Sequence, residues 1–194
     1  MTVINNGIDL ETFSFTPSDF RQKYNIPEDK KIILGVSMFW DERKGIDVFL
    51  KLAKSLGKKY QTVLVGSVPA GISLPTEIIS IKRTDNQRGL AEIYSAADVF
   101  LNPTREDNFP TVNIEALACS VPVVTFKVGG SPEILDKTCG TAVEKDDIAA
   151  LEKETVRVLE DKPYSREACR ARAENFSKDK KLREYITLYK KTVG

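Results

Sequence analysis

The chain has 194 residues with 41% hydrophobic and 29% charged side chains, the composition of one globular domain with room for a short terminal appendage. Its formal net charge of +1 argues against nucleic acid as the main partner. The sequence contains no histidine, which excludes His-based catalytic triads and most zinc sites and removes the commonest general base.

Signals for targeting and for disulfide bonding are missing from the sequence. No window reaches the roughly 20 apolar residues that span a bilayer, and residues 1–7 lack the basic segment and apolar core of a signal peptide. The three cysteines have no metal-ligand spacing, so we expect reduced thiols in a cytoplasmic protein. Residues 152–194 are the more basic part of the chain, which favours either a solvated helical face or peripheral contact with the inner face of a membrane.

The predicted elements alternate along the chain. Residues 1–30 are predicted to be an extended linker with a turn at Asn6–Gly7 and a short helix near Ser18–Tyr24 that is capped by Ser18. Short apolar runs predict strands at 31–37, 62–66, 78–81, 98–102, 121–126 and, weakly, 140–143. Helical spacing predicts helices at 46–56, 89–97, 112–119, from Pro132 with Ser131 as its N-cap, and throughout 146–194.

This alternation predicts the fold class. Continuous β-branched strands separated by helices are typical of a parallel sheet that is covered on both faces. We therefore predict a doubly wound α/β domain, followed by a helical C-terminal extension. The final stretch carries Leu182, Tyr185, Ile186 and Tyr189 at spacings of three and four, so it has one apolar face that needs a packing partner.

Two acids flank the start of the helix predicted at 112–119. Asp107 lies in the loop before this helix, and Glu115 lies within its first turns, eight residues later. Carboxylates accept hydrogen bonds from sugar hydroxyls, and the free N–H groups of a helix N-terminus bind phosphate. A nucleotide sugar carries both kinds of group.

Three further loops follow predicted strands. Arg43 and Lys44 precede the first long helix and suit phosphate binding, although a solvated turn explains them equally well. The polar loop from Lys82 to Asn86 is either a base-binding loop or an exposed loop with Asn86 near a helix start. The pair Gly129–Gly130 permits close backbone approach to a ligand, or forms an ordinary strand-to-helix turn. Neither a dinucleotide-binding GxGxxG fingerprint nor a P-loop is present.

Taken together, these motifs resemble the C-terminal, donor-binding half of a GT-B glycosyltransferase of the large retaining family 4, also called group 1. The resemblance rests on Asn6-Gly7-Ile8-Asp9 at the start, Lys44–Gly45, the acids Asp107 and Glu115, the run Val121–Val124, and Gly129-Gly130-x-Pro132-Glu133. The residues around Trp40–Gly45 and Asp107–Pro110 are most similar to enzymes that build bacterial capsule, O-antigen or exopolysaccharide. One departure is that Val36, Ser37 and Met38 stand where many relatives have an arginine.

The resemblance implies roles for individual residues. Lys44 would pair with the diphosphate, with Arg43 beside it, while Glu115 would bind ribose hydroxyls and Asp107 would face the transferred sugar. Sugar and phosphate would contact the backbone amides of the segment Asn108, Phe109, Pro110 and Thr111. Pro110 itself has no N–H to donate. The loop of Lys82, Arg83 and Thr84 would flank the base, and Gly129 and Gly130 would allow close approach to the donor.

The resemblance also implies the organisation of the parent enzyme. Residues 1–30 would be an interdomain linker remnant, 31–176 the Rossmann-like domain that binds the nucleotide sugar, and 177–194 a helix packing against a missing N-terminal acceptor domain. The donor would be a UDP- or GDP-sugar, the acceptor a glycan or a lipid-linked glycan, and no metal or other cofactor is expected. The isolated chain would then be inactive. Two alternatives remain: half of a sugar-nucleotide epimerase, a class expected to use a histidine, or a non-enzymatic nucleotide-binding module.

Overall fold

The structure, a computed structural model, describes residues 2–193. Its strands are β1 (Lys31–Phe39), β2 (Tyr60–Ser67), β3 (Ile78–Ile81), β4 (Val99–Asn102), β5 (Val123–Phe126) and β6 (Gly140–Val143). Its helices are α1 (Phe20–Lys23), α2 (Ile46–Leu56), α3 (Gln87–Ala96), α4 (Thr111–Ala118), α5 (Ser131–Ile134), α6 (Ile148–Asp161), α7 (Arg166–Ala173) and α8 (Lys178–Val193). Every strand predicted from the sequence is present, and no strand end differs from its predicted position by more than two residues.

The strands form one six-stranded sheet in the order β3-β2-β1-β4-β5-β6, and all of its pairings are parallel. This order is the Rossmann order, in which the direction of winding reverses between β1 and β4. Ile33 pairs with Val99 and Leu34 with Phe100 across that reversal. The predicted doubly wound α/β fold is confirmed, and ligand crevices in such sheets lie beyond the carboxyl ends of the strands at the reversal.

Alternate residues of each strand face opposite sides of the sheet and give the domain two cores. Ile32 and Leu34 face one core, which is completed by α1, α3, α4, α5 and α7. Ile33 faces the other core, which α2 and α6 complete. Both faces of β1 are therefore buried, which is why its sequence reads as a continuous apolar run instead of an alternating one.

The segment predicted as a linker packs closely on this domain. Ile8, Phe13, Phe20 and Ile26 are all buried in the larger core. The short helix is α1, whose N-cap is Asp19 without a side-chain hydrogen bond, so the predicted cap by Ser18 is wrong. The Ser18 hydroxyl instead lies 3.4 Å from the amide of Phe20, one residue inside the helix.

The sequence predicted helix throughout residues 146–194. The structure has helices in this region, but they are interrupted. The first break follows α6 at Lys162, which has a φ of +47°, and the second is the turn between α7 and α8. At the second break the chain meets its own beginning, because Ile8 N–H donates to the Phe176 carbonyl at 2.9 Å and Lys178 N–H donates to the Ile8 carbonyl at 2.8 Å. Of the helices in residues 2–193, none has the length and apolar content to cross a membrane.

Candidate functional site

A cleft of about 470 Å³ opens at the carboxyl ends of β1 and β4, where the winding of the sheet reverses. One wall is formed by the end of β1 and the residues after it, another by the end of β4 and the loop after it, and the floor by the start of α4. The lining residues are Asn6, Val36, Ser37, Met38, Phe39, Trp40, Arg43, Lys44, Asn102, Asp107, Phe109, Pro110, Thr111 and Val112. The structure thus brings Arg43, Lys44, Asp107 and the 109–111 segment, all predicted site residues, into one cleft.

Lys44 and Asp107 form an ion pair in this cleft. The Lys44 ammonium lies 2.9 Å from Asp107 Oδ2, and each side chain is about a quarter exposed, at 26% and 24%. Gly45 follows with a φ of +78°, and a Cβ there would lie 2.5 Å from the carbonyl oxygen of Pro103. Glycine therefore lets the lysine turn approach the loop after β4 closely enough for the pair to form.

Gly129 and Gly130 support the acidic loop from behind. A Cβ on Gly129 (φ +49°) would lie 1.8 Å from the Asp107 carbonyl oxygen, and one on Gly130 would lie 2.4 Å from the Phe109 ring. The Gly130 N–H already donates to the Asn108 carbonyl at 2.8 Å. Both glycines lie outside the lining of the cleft, so the geometry gives them a close contact with the loop that carries Asp107.

The helix α5 that follows these glycines begins one residue earlier than predicted. Its N-cap is Gly130, and no side chain caps it, so the prediction of Ser131 as the N-cap is wrong. The Ser131 side chain is fully buried, and its hydroxyl has no hydrogen-bond partner within the described residues. A buried side chain at the first helical position cannot turn back to the free amides of the helix.

Helix α4 supplies the anion-binding end of the cleft. Its N-cap is Pro110, which makes no side-chain cap, and Thr111 and Val112 of the first turn line the cleft. Uncapped N–H groups at a helix N-terminus carry partial positive charge and bind anions. The floor of the cleft therefore suits a phosphate group next to the Lys44 ammonium.

Glu115 lies one turn further along α4, outside the lining of the cleft, and is held from the side of α3. The Tyr94 hydroxyl, fully buried, donates to Glu115 Oε2 at 3.1 Å. Burial raises the pKa of the Glu115 carboxyl, while hydrogen bonds from Tyr94 and Thr111 partly oppose that rise. Burial and the charge of Glu115 also raise the pKa of Tyr94 well above its usual range, so the tyrosine remains a hydrogen-bond donor.

The remaining predicted residues are more exposed or lie elsewhere. The Arg43 side chain lies 3.7 Å from the Asp41 carboxylate. It is 56% exposed, which leaves its guanidinium accessible to a ligand. Arg83 and Thr84 border a separate groove between α1 and α3, and Lys82 is exposed in the same loop. The Asn86 side chain accepts a hydrogen bond from Gly89 N–H and caps α3, which is the structural alternative that the sequence left open for it.

Sequence reasoning missed Arg105. Its guanidinium donates to both carboxylate oxygens of Asp47 at 2.7 Å and, through Nε, to Asp146 Oδ1 at 2.6 Å. Asp47 is 58 residues away in sequence and Asp146 is 41 away, so no local pattern links them. The only local signal was an arginine within the loop that follows a buried strand.

The arrangement of possible metal-ligand side chains does not indicate a metal site. Among residues 2–193, no three His, Cys, Asp or Glu side chains converge in a way that could hold an ion. Asp107 is paired with a lysine and Glu115 with a tyrosine hydroxyl, so each carboxylate already has a partner.

Comparison with known proteins shows the family of the chain. A family model described as glycosyl transferases group 1 matches residues 30–161. The chain is 26% identical to the N-acetyl-alpha-D-glucosaminyl L-malate synthase of Bacillus anthracis, covering 97% of this chain and 52% of that protein. It is 29% identical to a D-inositol 3-phosphate glycosyltransferase of Salinispora tropica, covering 99% and 46%. The chain spans about half the length of the curated relatives it matches.

Solved structures show the same fold. Sucrose-phosphate synthase from Thermosynechococcus elongatus superposes with a TM-score of 0.84 at 27% identity, covering 98% of this chain and 52% of that one. HepE of Anabaena, solved in complex with UDP and glucose, superposes with a TM-score of 0.82 at 18% identity, covering 97% and 57%.

Proposed function

The chain belongs to the glycosyl transferases group 1 family, and from that premise we propose that it is the donor-binding domain of a retaining family 4 glycosyltransferase. The parent enzyme would move a hexose-type sugar from UDP- or GDP-sugar to a glycan or lipid-linked acceptor, as in bacterial capsule, O-antigen or exopolysaccharide synthesis. The observation that carries the proposal is the cleft in which Lys44, Asp107 and the N-terminus of α4 meet.

The cleft, together with Glu115 one turn further along α4, offers groups that match the parts of a nucleotide sugar. The Lys44 ammonium, the accessible Arg43 guanidinium and the amides of α4 bind the diphosphate by charge and hydrogen bonding. Glu115, whose Oε2 is fixed by Tyr94, accepts hydrogen bonds from ribose hydroxyls. Asp107 accepts hydrogen bonds from the sugar, and the bound structure of HepE with UDP and glucose supports a donor of this class.

The chemical contribution of this half would be electrostatic. Negative charge develops on the diphosphate as the bond to the sugar breaks, and donors already aimed at that position stabilise the transition state without reorganising. Lys44, Arg43 and the α4 N-terminus supply such donors, so the chemistry needs no metal. We expect the isolated chain to bind the donor and to transfer little or no sugar, since we assign the acceptor to the other half of the parent enzyme.

The exposed face of α8 fits a role in joining the two halves. Leu182 and Tyr189 are 58% and 74% exposed, and Tyr185 and Ile186 continue the same apolar face. We place the acceptor domain of the parent enzyme against this face, because burial of such side chains is the main favourable contribution to domain association.

A thermal-shift screen tests the proposed function. The chain is heated with UDP, GDP, their sugars, and the nucleosides uridine and guanosine. A ligand at 100 times its Kd stabilises the native state by about 2.7 kcal/mol, so one diphosphate and its sugars should raise Tm and the other nucleotides should not. No shift with any nucleoside diphosphate would refute the proposal. An equal rise in Tm with the nucleoside diphosphate and with its sugars would support the non-enzymatic nucleotide-binding module instead.

A further inference from the structure

Arg105 connects the loop after β4 with three other segments of the chain. Its guanidinium binds Asp47 in the first turn of α2 through both terminal nitrogens, and its Nε binds Asp146 in the turn before α6. Nη1 also contacts the carbonyl oxygen of Glu42. The side chain is 22% exposed, and it lies outside the lining of the cleft, so it does not contact a ligand bound there.

The backbone of Arg105 holds the same turn from the other side. Its N–H donates to the carbonyl oxygen of Arg43 at 2.8 Å. The carbonyls of Glu42 and Arg43 are the two that directly precede Lys44 in the chain, and Arg105 binds both of them. Two residues beyond Arg105, Asp107 reaches Lys44 Nζ at 2.9 Å. One residue thus ties the lysine turn to the loop that carries its acidic partner.

The charges around Arg105 make this connection strong. Asp47 and Asp146 raise its pKa, and Arg105 holds the pKa of Asp47 below its usual range. Paired N–H groups in a rigid fork fix orientation as well as distance, which a lysine cannot do. The bonds to Asp47 are partly buried, so solvent screens them less than an ordinary surface pair, whereas the bond to Asp146 is exposed.

From this geometry we propose that Arg105 is the positioning residue that holds Arg43 and Lys44 in place for the diphosphate of the donor. The inference rests on the proposed function and deepens it by naming what keeps the phosphate-binding turn in register with α4. Loss of Arg105 displaces the diphosphate contacts and leaves the nucleoside contacts at Glu115 intact. Displacement of these groups weakens their charge-assisted hydrogen bonds to the diphosphate, and a loss of about 1.4 kcal/mol corresponds to a tenfold fall in affinity.

Titration calorimetry of Arg105→Gln with UDP and with uridine tests the inference, GDP and guanosine replacing them if the wild-type chain prefers guanine. We expect the affinity for the diphosphate to fall about tenfold and the affinity for the nucleoside to stay unchanged. Arg105→Lys, which keeps the charge without the fork, should show a smaller loss. Arg157→Gln is the matched control, because Arg157 also binds a carboxylate (Glu154, 2.9 Å) and a second side chain (Tyr164, 2.9 Å) but lies on α6.

Asp47→Asn gives an independent variant, since it removes the negative charge and one of the two acceptor oxygens that bind Arg105, without changing Arg105 itself. It should reproduce the selective loss of diphosphate affinity even if Arg105→Gln folds poorly. Wild-type affinity for UDP in both variants would overturn the inference and leave the proposed function standing. Equal losses for UDP and uridine would also overturn it, because they indicate general disorder. A wild-type chain that binds neither diphosphate would refute the proposed function and the inference together.

Discussion

The Lys44 ammonium lies 2.9 Å from Asp107 Oδ2, so the two residues assigned to the donor already neutralise each other in the unliganded chain. They come from the loops after β1 and β4, which are neighbours in the sheet although 63 residues separate them. A diphosphate that binds Lys44 must share the ammonium with Asp107 or displace it. Asp107 therefore has an effect on the diphosphate as well as a proposed role toward the sugar.

Replacing Asp107 by Asn should separate these two effects. The amide keeps the shape but no longer competes for Lys44, so calorimetry should show UDP affinity unchanged or up to about fivefold tighter, as the small worth of a partly exposed ion pair implies. The extra affinity that the sugar gives UDP-sugar over UDP should shrink. Glu106→Gln removes an adjacent, exposed charge and should change neither affinity. A weaker affinity for bare UDP in Asp107→Asn would contradict this account.

Lys44→Ala should weaken UDP binding by about 1–3 kcal/mol, the worth of a charge-assisted hydrogen bond to phosphate. Uridine, which has no phosphate, should bind as well as it does to the wild-type chain. Lys51→Ala, on the exposed face of the same helix-and-turn segment, is the control for net charge. If Lys44→Ala and Lys51→Ala bind UDP equally well, Lys44 does not contact the diphosphate.

Glu115 should make the stability of the chain depend on pH. Its folded-state pKa is raised by burial, so between the ordinary carboxyl pKa of 4.5 and the folded-state pKa the native state binds more protons than the unfolded state. Stability therefore falls as pH rises through that window. Glu115→Gln removes the buried charge, so its Tm at pH 7 should exceed that of the wild type, and the difference should vanish below pH 4.5.

Tyr94→Phe extends this test. Loss of the hydroxyl removes a donor to the charged carboxylate, so the Glu115 pKa should rise further. The pH window in which stability falls should then extend to higher pH.

Glu115→Gln should also lose about 1–3 kcal/mol of affinity for both UDP and uridine. A variant that gains stability at pH 7 but keeps full affinity would show that Glu115 is buried for another purpose.

The glycine turn offers a prediction with a matched control. Gly129 and Gly57 both have positive φ, at +49° and +58°, but a Cβ on Gly57 meets nothing within 4 Å, whereas one on Gly129 would collide with the Asp107 carbonyl. Gly57→Ala should lower the free energy of unfolding by about 1–3 kcal/mol through backbone strain alone, because φ +58° with ψ −145° is a conformation that side chains strongly disfavour. Gly129→Ala should cost at least about 1 kcal/mol more, because the loop must move. Equal losses in urea denaturation would mean that the loop yields freely.

Donor binding should persist in excess EDTA. Asp107 is occupied by a lysine and Glu115 by a tyrosine hydroxyl, and hard cations need several convergent oxygens. Calorimetry with UDP-sugar before and after chelation measures this directly. Loss of binding in EDTA that magnesium restores would replace the metal-free proposal with one in which the ion bridges the diphosphate.

The fold and the central part of the site were predictable because they depend on local signals. Short apolar strands separated by helices indicate a parallel sheet, and the loops after β1 and β4 then meet at one edge. Lys44 and Asp107, each directly after one of those strands, lie together for that reason. The bounds of α3 and α4 also follow closely from helical spacing.

The rest depends on packing between distant segments. The contacts of Arg105 join residues far apart in the chain, and no spacing rule finds them. The cap of α5 was wrong because Ser131 is drawn into the core, and the break after α6 occurs at Lys162, whose left-handed conformation has no glycine to mark it. The roles of Lys82, Arg83 and Thr84 toward a base stay predictions, since that loop borders a different groove.

A crystal structure of this chain with UDP tests the central claim most directly. The account predicts diphosphate oxygens about 3 Å from Lys44 Nζ and next to the amides of α4, with ribose hydroxyls on the Glu115 carboxylate. UDP bound instead in the groove between α1 and α3, or a cleft that stays empty at saturating UDP with the Lys44–Asp107 pair intact, would contradict it.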